Sequence, residues 1–262
     1  MGMFKMKVGL ALGAAVMSAG LWLGAPAQAL AAGGGVSFEK QKWDHNGPTG
    51  TFDRAAMVRG LQVYTEVCAA CHSLDLVAFR TLSALGMDED EIKEFASEYE
   101  VEDGPDSEGE MFDRDALPSD YFVGPYANEN AARAVNNGAF PPDLSLITKA
   151  RPGGEDYLYA LLTGYEDAPE DFELSEGMAY NKYFPGHQIA MPQPMFEEHV
   201  EYDDETEATV EQMSRDVSVF LTWTAEPALE IRKRIGVKVL IFLGIMLVLL
   251  ILVKRQVWSD VH

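Results

Sequence analysis

Three stretches of the chain carry helical hydrophobic spacing, and two more are apolar on every side. After Asp53, the residues Met57, Leu61, Tyr64 and Cys68 recur at intervals of three or four. That spacing predicts one buried face of a helix, with Asp53 as its N-cap. Glu155 to Thr163 predicts a short helix closed by Gly164. Thr209 to Ala225 predicts a longer one, with Val210, Met213, Val217 and Phe220 on its apolar face. Thr209 and Gln212 stand at capping-box spacing. Elsewhere the periodicity fails. Residues 30–50 are Gly-rich and irregular, with Trp43 and His45 as isolated features. Pro141-Pro142 and Pro152-Gly153-Gly154 mark turns, and residues 165–205 predict a long wrapping loop.

The two all-apolar stretches lie at the ends. Ile235 to Val253 is a run of nineteen residues whose only charge is Lys238, near its edge. As a helix it would span about 28 Å, close to the hydrocarbon thickness of a bilayer. Pro227 breaks the chain before it. At the N-terminus, Lys5 and Lys7 precede an apolar or small stretch from Val8 to Ala25, and Ala27-Gln28-Ala29 has the pattern of a cleavage site. The expected organisation is a signal peptide over 1–29 and an exported domain over 30–231. A membrane helix with basic flanks follows over 232–255, then a tail over 256–262. Export followed by a stop-transfer helix places the domain in the periplasm of a bacterium, held by a single pass of the inner membrane. The flanking charges do not decide the orientation, because Arg232, Lys233 and Arg234 on one side oppose Lys254 and Arg255 on the other. The signal sequence does.

Charge changes the picture of the exported part. The whole chain carries a formal −22, but residues 30–231 hold 12 Lys and Arg against 41 Asp and Glu, a net −29. Such a surface excludes nucleic acid as a partner and favours basic proteins. Residues 87–120 alone carry fifteen acids and two basic residues, and predict a solvated loop with a short helix.

The chemistry lies in Cys68-Ala69-Ala70-Cys71-His72, the attachment sequence of a c-type haem. Cysteines three apart on a helix share a face, so both thiols can reach the vinyl groups on one porphyrin edge. His72 follows directly and can coordinate the iron. A disulfide here would close too small a loop to restrain much. Zinc would need two further ligands at the proper spacing, and a thioredoxin-type pair would need a βαβ context. A second axial ligand belongs downstream, in an irregular segment able to cover the other haem face. Residues 184–195 offer Met191, His187 and Met195. A Met/His pair raises the reduction potential.

Beyond this motif an ordered series of segments resembles the cytochrome c1 family. Arg59-Gly60-Leu61-Gln62-Val63-Tyr64 precedes the haem motif. Ala132 to Ala139 leads to Pro141-Pro142-Asp143-Leu144-Ser145, and Arg151 to Tyr157 and Leu161 to Tyr165 follow. Tyr183-Phe184-Pro185-Gly186 precedes Met191, and Glu201 to Asp204, Ala225-Glu226-Pro227 and Arg232-Lys233-Arg234 close the series. The resemblance implies a mostly α, class I cytochrome c-like haem domain with long loops and one C-terminal transmembrane helix. It implies Met191 as the partner of His72 on the iron, and haem-packing or propionate roles for Asn136, Pro142, Arg151 and Tyr157. Arg151 suits a propionate independently, through a charge-assisted guanidinium pair. An extra disulfide known in some bacterial relatives cannot form here, since both cysteines serve the haem. The resemblance further implies an electron-transfer subunit, not an enzyme by itself, within a dimeric bc1 complex beside cytochrome b and the Rieske iron–sulfur protein. A soluble cytochrome c would be its acceptor. The alternative is a membrane-anchored haem c carrier outside such a complex.

Overall fold

The computed structural model describes residues 36–259. The expected signal peptide and its cleavage site lie outside the described residues. Helix α1, Arg54–Glu66, starts where the Asp53 carboxylate accepts the backbone N–H groups of Ala55 and Ala56. Its Met57, Leu61 and Tyr64 are buried as their spacing predicts. Central to the domain is α6, Val210–Ala225, whose residues from Met213 onward are almost all buried. It packs against α1, against α5, Gly154–Thr163, and against the single turn α4, Ile147–Ala150.

The crossing of α1 and α6 sets the core. At Gly60 a Cβ would lie 2.2 Å from the Asp216 carbonyl oxygen and 2.6 Å from the Phe220 Cβ. Only glycine lets the two backbones approach this closely. Gly60→Ala should therefore cost roughly 1–3 kcal/mol or more through overpacking. Thermal unfolding of the full chain would show it as a lowered Tm, while Gly236→Ala, where a Cβ would meet nothing within 4 Å, should be neutral.

Gln212 departs from the expected capping box. Thr209 Oγ1 does accept the Gln212 N–H at 3.1 Å, but the Gln212 amide turns away to Asp216 Oδ2 at 2.9 Å. A buried carboxylate outcompetes the exposed N-cap for that donor. Gly164 ends α5 as expected, yet its φ is −95°, not left-handed. Its lack of a side chain serves close approach, since a Cβ would meet the Tyr183 ring at 2.6 Å.

The acidic segment holds the expected short helix, but the rest of it is a hairpin and not an irregular loop. A 3-10 helix, Phe79–Leu85, leads into α2, Glu89–Ser97, which Asp88 and Glu91 open with a complete capping box. Strands β1, Glu100–Asp103, and β2, Phe112–Asp115, then pair antiparallel. Arg114 bonds both Asp103 and Asp120 and holds their carboxyls below the usual carboxylate range. Beneath them Phe79, Phe95, Tyr99 and Phe122 form an aromatic cluster, with Phe79 and Phe122 centroids 4.6 Å apart. Charge density hid this element, because its few apolar residues carry the packing.

Helix α3, Glu129–Val135, and a minimal pair of strands, β3 Ala179–Tyr180 and β4 Gln188–Ile189, punctuate the later loops. Helix α7, Leu229–Val257, is longer than the apolar run it contains and is long and apolar enough to cross a membrane. It starts before the expected boundary at 232 and ends beyond 255. Residues 43–52 strap its first turns. Glu230 accepts the Phe52 N–H and pairs with Arg54 at 2.8 Å, while Lys233 donates to the carbonyls of His45 and Gly50. Trp43 and His45 are buried in this strap rather than isolated. The Trp43 indole donates to Asp156, and Arg215 stacks on its ring.

Candidate functional site

The Cys68–His72 motif does not continue α1. The helix stops at Glu66, and Cys68–Ala70 form one 3-10 turn. Cys71 caps this turn, its N–H bonded to the Cys68 carbonyl at 3.1 Å, so the two cysteines stay within one tight turn. Both cysteines are free thiols, Cys68 half-buried and Cys71 exposed. Burial, with the neighbouring Cys71, pushes the Cys68 thiol up to about 12. His72 is placed by its N–H, which donates to the Cys68 carbonyl at 2.9 Å, and by its carbonyl, which accepts the buried Tyr64 hydroxyl at 3.0 Å.

Pro142 acts through its backbone. Its carbonyl oxygen lies 2.7 Å from His72 Nδ1. Nδ1 therefore carries the proton and donates, which leaves the Nε2 lone pair free for a metal. Burial lowers the His72 pKa, which favours that neutral form. The carbonyl is itself fixed by stitching between residues 72–76 and 142–145. Asp143 Oδ2 accepts from Ser73 Oγ at 3.0 Å and from the Asp75 N–H at 2.8 Å. The Leu76 N–H reaches Ser145 Oγ at 3.1 Å, and the Leu144 N–H reaches the Ser73 carbonyl at 2.9 Å. Asp143 and Ser145 were not singled out from sequence as site residues. Their signal was an Asx turn, in which the Ser145 N–H returns to Asp143 Oδ1 at 2.9 Å.

The three downstream ligand candidates sit in different surroundings. Met195 is 1% exposed and belongs to the core. His187 sits at φ +60° with Nδ1 on the Lys182 carbonyl and its ring stacked on Tyr180. Met191 is half-buried at the edge of the core cluster, as Cys68 is. Its carbonyl accepts the Tyr165 hydroxyl at 3.1 Å.

Arg151 and Tyr157 fall on the same run of neighbours. Tyr157 leans on Phe38 and interacts electrostatically with Arg151 on one side and Tyr165 on the other. Arg151 is exposed, and its guanidinium reaches only the Ala150 carbonyl, at 3.4 Å. Among the described residues no carboxylate pairs with it, in a domain crowded with carboxylates. Asn136 is the C-cap of α3. Its amide donates to the Tyr126 hydroxyl and to the Ala132 carbonyl, closing α3 before Asn137 and Gly138 turn the chain at positive φ.

These groups suit a covalently held haem: two unlinked thiols within one tight turn, an imidazole with one nitrogen committed, a half-buried thioether and an unpaired cation. The family profile described as the Cytochrome C1 family matches residues 43–261. The chain belongs to the cytochrome c1 family. It is accordingly a haem c protein of electron transfer. Among similar proteins is "Cytochrome c1" of Rhodospirillum rubrum, 45% identical over 94% of this chain and 97% of the relative. "Cytochrome b/c1" of Bradyrhizobium diazoefficiens is 46% identical over 95% of this chain, which spans 39% of that longer protein. "Cytochrome b-c1 complex catalytic subunit, mitochondrial" of Candida albicans is 52% identical over 84% of this chain and 76% of its own.

Proposed function

We propose that this chain is the haem-bearing electron-transfer subunit of a bc1 complex, with His72 and Met191 as the two axial ligands. The carrying observation is the His72 Nδ1 contact to the Pro142 carbonyl, which leaves one nitrogen of a half-buried, oriented imidazole available near two free thiols. Bound haem c supplies a one-electron couple that breaks no substrate bond. The protein's part is to hold and tune it. Cys68 and Cys71 form the thioethers, the Pro142 carbonyl fixes the ring of His72, and Tyr165 holds the Met191 backbone. Arg151, with Tyr157 beside it, pairs a propionate.

In this reading the domain over 30–231 lies in the periplasm, joined through the helix at 232–255 to the inner membrane. Cytochrome b and the Rieske protein are its neighbours in a dimeric complex. Electrons arrive from the Rieske centre and leave to a soluble cytochrome c, steered by the acidic surface. Reduced-minus-oxidised spectra of the tagged chain, purified gently from its native membrane, test this. Haem b bands are expected beside the haem c band. Haem c alone would support the free-standing anchored carrier instead.

Tyr165→Phe removes one hydrogen bond from the Met191 loop, worth about 1 kcal/mol. Added imidazole should then displace the sulfur ligand at a concentration lower by roughly fivefold. An optical imidazole titration of the oxidised protein reads this directly.

A further inference from the structure

Where the haem domain meets α7 lies a cavity of about 310 Å³. His45, Lys149, Glu155, Glu226, Arg232 and Lys233 line it, with the first residue of α7, Leu229. From sequence His45 was an isolated feature and the basic triplet a mere flank. Here they face one space. The cavity holds three cations against two acids, beside a span, residues 30–231, of net −29. Glu226 is already matched by Lys149 at 3.3 Å and by Arg232. Lys233 gives hydrogen bonds to the carbonyls of His45 and Gly50, which leaves one of its three ammonium protons free. His45 is 2% exposed, yet its Nε2 has no hydrogen-bond partner among the described residues. Its nearest carboxylate oxygen, on Glu155, is 3.5 Å away. At 3.5 Å the Glu155 carboxylate meets this buried nitrogen only at the outer limit of a hydrogen bond, which leaves it able to take a closer ligand atom.

Depth narrows the ligand. The cavity's basic residues on α7, Arg232 and Lys233, lie about 3–5 Å before the apolar run that begins at Ile235. The polar headgroup layer is roughly 5–8 Å thick on each side of the hydrocarbon. The cavity therefore lies at headgroup depth on the haem-domain side. We propose that it binds the phosphate of an anionic phospholipid headgroup, with Lys149, Lys233 and the Nε2 of His45 toward the phosphate oxygens. This inference rests on α7 spanning a bilayer and not on the ligands or electron partners proposed above.

The test uses the intact purified complex in phosphatidylcholine vesicles containing a trace of phosphatidylglycerol with a photoreactive group beside its phosphate. Mass spectrometry of the digested chain should find the label on peptides covering 43–50 and 222–233. Unlabelled phosphatidylglycerol should compete, and phosphatidylcholine or inorganic phosphate should not. Lys149→Gln should reduce labelling about fivefold, while Lys254→Gln at the opposite end of α7 should not. Lys149 is an exposed side chain, and Arg232 still matches Glu226 in its absence. The haem spectrum reports whether the variant is folded; if it is not, the lipid competition in the unmodified complex decides alone. Equal competition by phosphatidylcholine, displacement by inorganic phosphate, or unchanged labelling in a folded Lys149→Gln complex would overturn the proposal.

Discussion

Met191→Leu should leave the chain red and covalently loaded but lower its midpoint potential by a few hundred millivolts. Leucine keeps most of the volume and the apolar character at this half-buried position. It removes the lone pair that a thioether offers to iron. Cys68, Cys71 and His72 are untouched, so attachment survives. Axial ligands tune haem potentials over about 0.8 V, and the Met/His pair lies toward the upper part of that range. The vacated position should also bind carbon monoxide, which the unmodified protein should refuse. Redox titration and a carbon monoxide difference spectrum of the membranes read both effects. Met195→Leu is the matched control. That side chain is fully buried in the core and should cost less than about 1.5 kcal/mol of stability, with the potential unchanged. The opposite pattern, a shift in Met195→Leu and none in Met191→Leu, would reassign the ligand.

Arg59→Ala should be among the most destabilising single changes in the haem domain. Asp216 is 1% exposed, and the Arg59 guanidinium meets it through Nε at 2.8 Å and Nη2 at 3.1 Å. The same guanidinium reaches Asp204 at 2.7 Å and lies over the Tyr202 ring. Bonding to Asp216 outweighs desolvation and raises the Arg59 pKa. Truncating Arg59 leaves a buried carboxylate on the central helix without its countercharge. Breaking one side of such a pair typically costs about 3–5 kcal/mol. Asp204→Asn should cost far less, since Asp204 is largely solvated and exposed pairs contribute little. Denaturant unfolding of the two variants would separate these cases. Equal midpoints would mean that the buried half of the network contributes no more than the exposed half.

How much of this was legible beforehand depends on what each element needed. The haem motif was legible because chemistry fixes its spacing. The buried faces of α1 and α6 were legible because 3.6-residue periodicity survives any tertiary arrangement. The acidic hairpin was not, since its fold hangs on Phe79, Phe95, Tyr99 and Phe122, which meet across long sequence separations. Trp43 and His45 gave no periodic signal because the strap that holds them is irregular. Gly60 marks a backbone crossing and Gly164 a close approach to the Tyr183 ring, both visible in three dimensions alone. The resemblance set Pro142 near the haem without naming an atom, and its contact with His72 is made by the carbonyl oxygen. The Asn136 amide, expected at the cofactor, is spent on ending a helix. Side-chain identity suggests who is present at a site; only the path of the backbone says which atom faces inward.

The strap over the first turns of α7 has a mechanical consequence. Glu230 and Lys233 tie the helix to Phe52, Arg54, His45 and Gly50 before it leaves the domain. No loose tether separates the redox domain from its mast. A swinging arm would need such a tether. With α7 seated in a bilayer, such a domain would stand as a fixed post, and a partner exchanging electrons with it would have to do the travelling.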